Sequence, residues 1–248
     1  MSIDFSTLRI MVVDDQLLVR SLISQLLRSL GFRPDSISQG TDGNNALRIL
    51  ELRQFDIILC DIQMDPINGI DLLKAVRSAR TPNTPEIPFV FLSGHPERPT
   101  IMMAAQFHAD GFIVKPPKPS DIEKNLEVAL SRPRPPIDPF HYVNIRTGSE
   151  YDLRNFERQT TPPQSRDLDM LLTRFKSEVP IENAEPGTIL AEDLLALDGR
   201  MLLTRGVRLT RVQLDILKRF QVQYGVHQIP IAHLPKDQMI MYQEVYGI

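Results

Sequence analysis

Three aspartates, a serine and a lysine carry the chemistry that this sequence offers. Asp14 and Asp15 directly follow the apolar run IMVV at 10–13. Asp61 follows DIILC, Ser93 follows PFVFL, and Lys115 follows GFIV. Carboxylates gathered in one place repel each other, and one of them keeps its proton unless a cation offsets the charge. A hard divalent ion that prefers oxygen ligands, Mg²⁺, supplies that offset. Lys115 adds a mobile point charge for a carboxylate or a phosphoryl oxygen, and Ser93 adds a hydroxyl donor. Such a set would accept a phosphoryl group. Asp61 would act as nucleophile and form an aspartyl phosphate, while Mg²⁺ and Lys115 offset the charge developing on the group in transfer. An Asp-Asp pair after a strand, taken alone, is more often a helix N-terminal cap. The joint placement of all five residues at strand ends favours the phosphoacceptor reading.

Positioning them requires a particular kind of scaffold. The apolar runs at 8–13, 56–60, 88–92 and 111–114, with a weaker one at 33–38, read as strands. Between and after them, 17–30, 43–52, 69–80, 100–108 and 120–130 repeat apolar residues at helical spacing. Gly31 marks the end of the first helix, and Ser120 with Glu123 forms the sequence of a capping box for the last. Strands alternating with helices imply a parallel sheet covered on both faces. Uninterrupted apolar runs suit strands buried on both sides. In such sheets functional groups gather at the carboxyl ends of the strands, where these five residues fall.

Composition narrows the rest. The chain has 248 residues, 42% of them hydrophobic and 24% charged, which is ordinary for a globular protein. A formal net charge of −3 gives no general attraction to nucleic acid or anionic membrane. A single cysteine, Cys60, excludes an intramolecular disulfide framework and fits a reducing compartment; its simplest reading is a small buried hydrophobe. The start of the chain reads as no signal peptide, and no apolar run is long enough to span a bilayer.

Residues 8–130 resemble the receiver domain of two-component response regulators. The resemblance rests on Val13-Asp14-Asp15, on the stretch Asp61 to Gly69 (DIQMDPING), on Leu92-Ser93-Gly94 and on Gly111 to Pro116 (GFIVKP). It implies a flavodoxin-like α/β fold with a five-stranded doubly wound parallel sheet. It further implies Asp61 as the phosphorylated residue and Asp14, Asp15, Asp61 and the backbone carbonyl of Gln63 as holders of Mg²⁺. Ser93 and Lys115 would contact the phosphoryl group, Ser93 and Phe112 would form a switch pair, and Lys115-Pro116 would be a cis peptide. For Phe112, plain core packing is an equally good reading. The implied partner is a histidine kinase or phosphotransfer protein in the cytoplasm. The implied output is a change on the face made by the fourth helix, fifth strand and fifth helix, open to a homodimer or a downstream protein. One departure stands out: the family has proline directly after Met64, whereas here Asp65 intervenes and proline is at 66. An altered loop is expected after the phosphosite, with Asp61 to Gly69 keeping its usual length.

The second half is less explicit. We expect a receiver over 1–131, then a proline-rich, irregular linker over 132–176 with a short helix at 166–176. A small, mainly β output module with one helix over 177–248 would follow. Asp198-Gly199 between apolar runs signals a hairpin, and Thr210 with Gln213 is a capping-box sequence. The basic residues between 200 and 219 read as a solvated face, because a DNA-binding output would place a recognition helix beside others. No cyclase, phosphodiesterase or P-loop sequence is present, and the histidines at 95, 108, 141, 227 and 233 have no metal-ligand spacing. Residues 178–231 resemble the accessory β segment found with HD and HD-GYP signalling phosphohydrolases, which implies a binding module without catalysis. The expected function is a response regulator with a protein-interaction output, not an enzyme. The alternatives are a transcriptional regulator with an atypical DNA-binding output and a regulatory partner of a cyclic-dinucleotide phosphohydrolase.

Overall fold

A computed structural model describes residues 3–94, 97–134, 136–156 and 166–246. The chain forms two compact units, Met1–Asn155 and Phe156–Ile248. In the first unit the strands are β1 (Ile10–Val13), β2 (Ile37–Gly40), β3 (Ile57–Asp61), β4 (Phe89–Ser93) and β5 (Gly111–Val114). They lie parallel in the order β2-β1-β3-β4-β5. Every residue of β1, β3 and β4 is buried, so these strands need apolar side chains on both faces. The helices are α1 (Leu17–Ser29), α2 (Gly43–Leu52), α3 (Gly69–Arg77), α4 (Arg98–Gln106) and α5 (Pro119–Ser131).

Two cores flank the sheet. On one face Ile10, Val12, Leu59 and Leu92 pack with Ile23 and Leu27 of α1 and with Ile122 and Leu126 of α5. On the other, Met11, Val13, Ile58, Phe89 and Phe91 pack with Ala46 and Leu50 of α2, Leu73 and Val76 of α3, and Ala104 of α4. Chain order and parallel pairing thus bring the carboxyl ends of β1, β3, β4 and β5 to one edge.

Several boundaries differ from the sequence expectation for local reasons. Helix α3 stops at Arg77 because Ala79 adopts φ 57, and α4 stops at Gln106 because His108 adopts φ 52. Both values lie in the left-handed region that ends a helix. The Ser120 capping box does not form. Pro119 occupies the start of α5, with Lys118 as an N-cap that makes no side-chain bond. Proline is pre-organised for that first position.

The largest difference lies beyond α5, where an irregular linker was expected. Here α6 (Pro139–Val143) and α7 (Glu150–Asn155) are helices of the first unit. Ile137 and Tyr142 join the core on the α3 side of the sheet, and all nine residues of α3 are buried.

The second unit contains α8 (Arg166–Arg174), β6 (Lys176–Pro180), β7 (Ile189–Leu190), β8 (Leu194–Leu195), β9 (Met201–Leu203), α9 (Arg211–Arg219), α10 (Gln221–Tyr224), β10 (Gln228–Ala232) and α11 (Lys236–Tyr246). Its sheets are antiparallel, one ordered β6-β10-β7 and one pairing β8 with β9. Gly199 at φ 78 makes the β8–β9 turn, and Thr210 with Gln213 caps α9 reciprocally. The unit is β-rich, as expected; besides the single expected helix it carries α10 and α11, and α8 from the expected linker also belongs to it.

Candidate functional site

The site grows from four strand ends, those of β1, β3, β4 and β5. β1 runs into Asp14, which is fully buried, while Asp15 is exposed. Asp14 divides its two oxygens between tasks. Oδ1 accepts from the Gln16 amide at 2.9 Å and holds the turn into α1. Oδ2 lies 2.6 Å from Lys115 Nζ, yet among the described residues it accepts no aligned hydrogen bond. The contact is one of opposite charges and leaves lone-pair capacity at a buried anionic oxygen. Arg20 anchors the same turn through a 2.7 Å bond to the Asp14 carbonyl.

Asp61 ends β3, 5% exposed. Its Oδ2 lies 2.7 Å from the same Lys115 Nζ, and its Oδ1 accepts a long 3.4 Å bond from the Gln63 amide. Burial raises the Asp61 pKa above the ordinary carboxylate value; Lys115 opposes that rise and the Asp14 charge adds to it. Burial alone would lower the Lys115 pKa, but the close carboxylates of Asp14 and Asp61 outweigh it and raise the value. One ammonium therefore serves two carboxylates, and a net negative charge remains. Carboxylate oxygens of Asp14, Asp15 and Asp61 lie within 4.8 Å of one another. Three carboxylates with one ammonium between two of them, and the surplus negative charge that remains, suit a hard divalent cation.

Ser93 ends β4 and is buried. Its carbonyl accepts from the Lys115 amide at 2.8 Å, which fixes where the lysine leaves β5. The Lys115-Pro116 and Asp65-Pro66 peptides are both cis. Phe112 is partly buried and packs beside Phe91, with ring centroids 5.7 Å apart. Cys60 is buried among the β3 neighbours and donates to the Asp61 carbonyl at 3.0 Å. Burial, with the Asp61 and Asp14 charges, raises its thiol pKa well above the ordinary value. Its place is structural. His95 lies outside the described residues.

The loop after Asp61 is held closely. Asn68 caps α3 by accepting from the Asp71 amide at 2.9 Å, and the Gly69 amide donates to the Ile62 carbonyl at 2.9 Å. A Cβ at Gly69 would sit 2.2 Å from the Asp61 carbonyl oxygen, so only glycine allows α3 to start so near the site.

A second polar cluster was not visible from sequence. Lys74 on α3 pairs with Asp152 on α7, and neither side chain is exposed. Lys74 also donates to the Ile145 carbonyl at 2.7 Å. Asp71, fully buried, accepts from Thr147 Oγ1 at 2.5 Å. At the end of α3, Arg77 donates to the carbonyls of Phe107, Pro85, Ile87 and His108. Burial lowers its pKa to about 10. These partners are far apart in sequence, and no local spacing announces them.

Known proteins similar in sequence point to one family. The sequence model of the family described as response regulator receiver domain matches residues 10–127. The chain is similar to chemotaxis protein CheY of Pseudomonas aeruginosa, 33% identical over 125 residues, covering 50% of this chain and 98% of that protein. It is similar to CheY-3 of Vibrio cholerae, 32% identical over 125 residues, covering 50% of this chain and 93% of that protein. Among solved structures, CheY4 of Vibrio cholerae matches with 26% identity and a TM-score of 0.45, covering 50% of this chain and 98% of that one. The chain belongs to the response regulator receiver family, the receivers of two-component signalling, with residues 10–127 as its receiver domain.

Proposed function

We propose that this protein is a response regulator whose Asp61 accepts a phosphoryl group from a histidine kinase or phosphotransfer protein. The carrying observation is Lys115 Nζ held 2.6 Å from Asp14 and 2.7 Å from Asp61 at the joined ends of β1, β3 and β5. Asp61 must be ionised to attack; burial favours its proton, and Lys115 opposes that effect. An Asp61 oxygen would form a bond to phosphorus as the bond from phosphorus to the donor histidine nitrogen breaks. That nitrogen leaves with the electron pair. Asp14, Asp15, Asp61 and the Gln63 carbonyl would hold Mg²⁺, which when bound offsets charge on the phosphoryl oxygens. Lys115 would turn one of its contacts from a carboxylate to a phosphoryl oxygen, and Ser93 would donate to another.

In our reading the output is a protein contact. The pull on Ser93 would bias Phe112 and repopulate the packings of the α4-β5-α5 face. Ile101, Met102, Val114 and Val128 on these elements are exposed apolar residues, as a surface for a second copy or a downstream protein requires. The proposal places the protein in the cytoplasm, with the kinase. No described helix is long and apolar enough to cross a membrane.

Calorimetric titration with MgCl₂ tests the metal part. We expect one site in the wild type and none in Asp61→Asn. Equal binding by both would contradict the reading.

A further inference from the structure

Residues 136–155 form a strap over α3, and its contacts concentrate near the helix start. Thr147 Oγ1 bonds Asp71 in the first turn. Asp152 pairs with Lys74 one turn on, and the Ile145 carbonyl takes a second bond from that lysine. The Thr147 amide donates to Asp152 at 3.2 Å, so both grips share one carboxylate. Further along, Tyr142 stacks on Phe107 with centroids 6.0 Å apart and hydrogen-bonds His108 at the end of α4. Before the strap, Arg134 reaches Asp110 at 2.7 Å.

The start of α3 has no slack towards the phosphosite. Gly69 stands where a Cβ would be 2.2 Å from the Asp61 carbonyl. Its amide is bonded to Ile62, the residue after Asp61. A helix turn is stiff, and a close-packed interior passes displacement on rather than absorbing it. A change in backbone position at Asp61 therefore meets the first turn of α3, and then Asp71 and Lys74.

We propose that α3 relays the state of Asp61 to the strap, residues 136–155, in addition to any signal carried by the α4-β5-α5 face. The inference rests on Asp61 being the phosphoacceptor. The strap fits α3 in its unmodified position, with Asp71 and Lys74 matched to Thr147 and Asp152. A phosphoryl group on Asp61 shifts α3 and loosens that fit. Linkage makes the relation reciprocal: loosening the strap favours binding of a phosphoryl mimic at Asp61.

The test is amide hydrogen exchange on the full chain, with and without Mg²⁺ and beryllofluoride, together with beryllofluoride titrations of Asp152→Asn and Thr147→Val. The second variant serves if the first does not fold. We expect exchange in 139–155 to quicken at least threefold on beryllofluoride addition, and the variants to bind it at least threefold more tightly. Altered exchange at 57–69 with none at 139–155 would overturn the relay and leave the phosphoacceptor reading standing. Unchanged affinity in a variant whose strap already exchanges fast would also overturn it. No change even at 57–69 would overturn the phosphoacceptor reading, and the relay with it.

Discussion

Lys74 and Asp152, 78 residues apart in sequence, form an ion pair with neither side chain exposed to solvent. The pair ties the segment after α5 to the helix that follows Asp61. Removing one member leaves a buried charge without its partner, which costs about 3–5 kcal/mol. Asp152→Leu alone should therefore lower stability by that amount in urea unfolding. The double variant Lys74→Met, Asp152→Leu should recover most of it, because apolar groups of similar volume replace a buried pair at little cost. Equal losses in single and double variants would show that the pair's charge is not what matters.

Asp71 yields a pH dependence. Burial raises its pKa above the ordinary carboxylate value of 3.8, against the hydrogen bond from Thr147. The folded state therefore binds its proton better than the unfolded state does. The stability that Asp71 contributes is fully present below 3.8 and is lost as pH rises through its raised folded value. Asp71→Asn removes this loss. Its urea midpoint, relative to wild type, should climb as pH rises from 4 to 7. A constant offset across that range would show that Asp71 does not titrate differently on folding.

The same sign holds at Asp61, whose pKa burial raises. Without Mg²⁺ its charge is a cost at pH 7.5, so Asp61→Asn should be more stable than wild type there. Mg²⁺ at about 100 times its Kd should then add about 2.7 kcal/mol to the wild type and nothing to the variant. Thermal unfolding with and without MgCl₂ reads both effects.

Gly69→Ala tests the closeness of α3 to the site. Its Cβ has no room beside the Asp61 carbonyl, so helix or strand must move. Overpacking of this kind costs about 1–3 kcal/mol. Mg²⁺ affinity should fall with stability, since the Gln63 carbonyl lies on the displaced loop. Wild-type stability and Mg²⁺ affinity in the variant would contradict the placement.

The site was legible because its signals are local. Apolar strands end in Asp14, Asp61, Ser93 and Lys115, and chain order alone brings those ends together. The same logic gave the five parallel strands and the Asp198-Gly199 hairpin. What escaped were features decided at long range. Lys74 and Asp71 look like surface residues of an amphipathic helix until 139–155 covers them. The segment itself, rich in polar groups, shows no period from which packing could be inferred. Local competition explains the rest. Pro119 displaced Ser120 at the start of α5, and the left-handed backbone at Ala79 and His108 ended helices that their apolar spacing would have continued.

Phosphorylation at Asp61 is the claim on which the account depends. The direct measurement is incubation of the full chain with acetyl phosphate and Mg²⁺, followed by borohydride reduction and peptide mass mapping. The account predicts homoserine in place of aspartate at position 61, lost with EDTA and absent from Asp61→Asn. Unmodified Asp61 under these conditions, or modification at another residue with Asp61 intact, would contradict it.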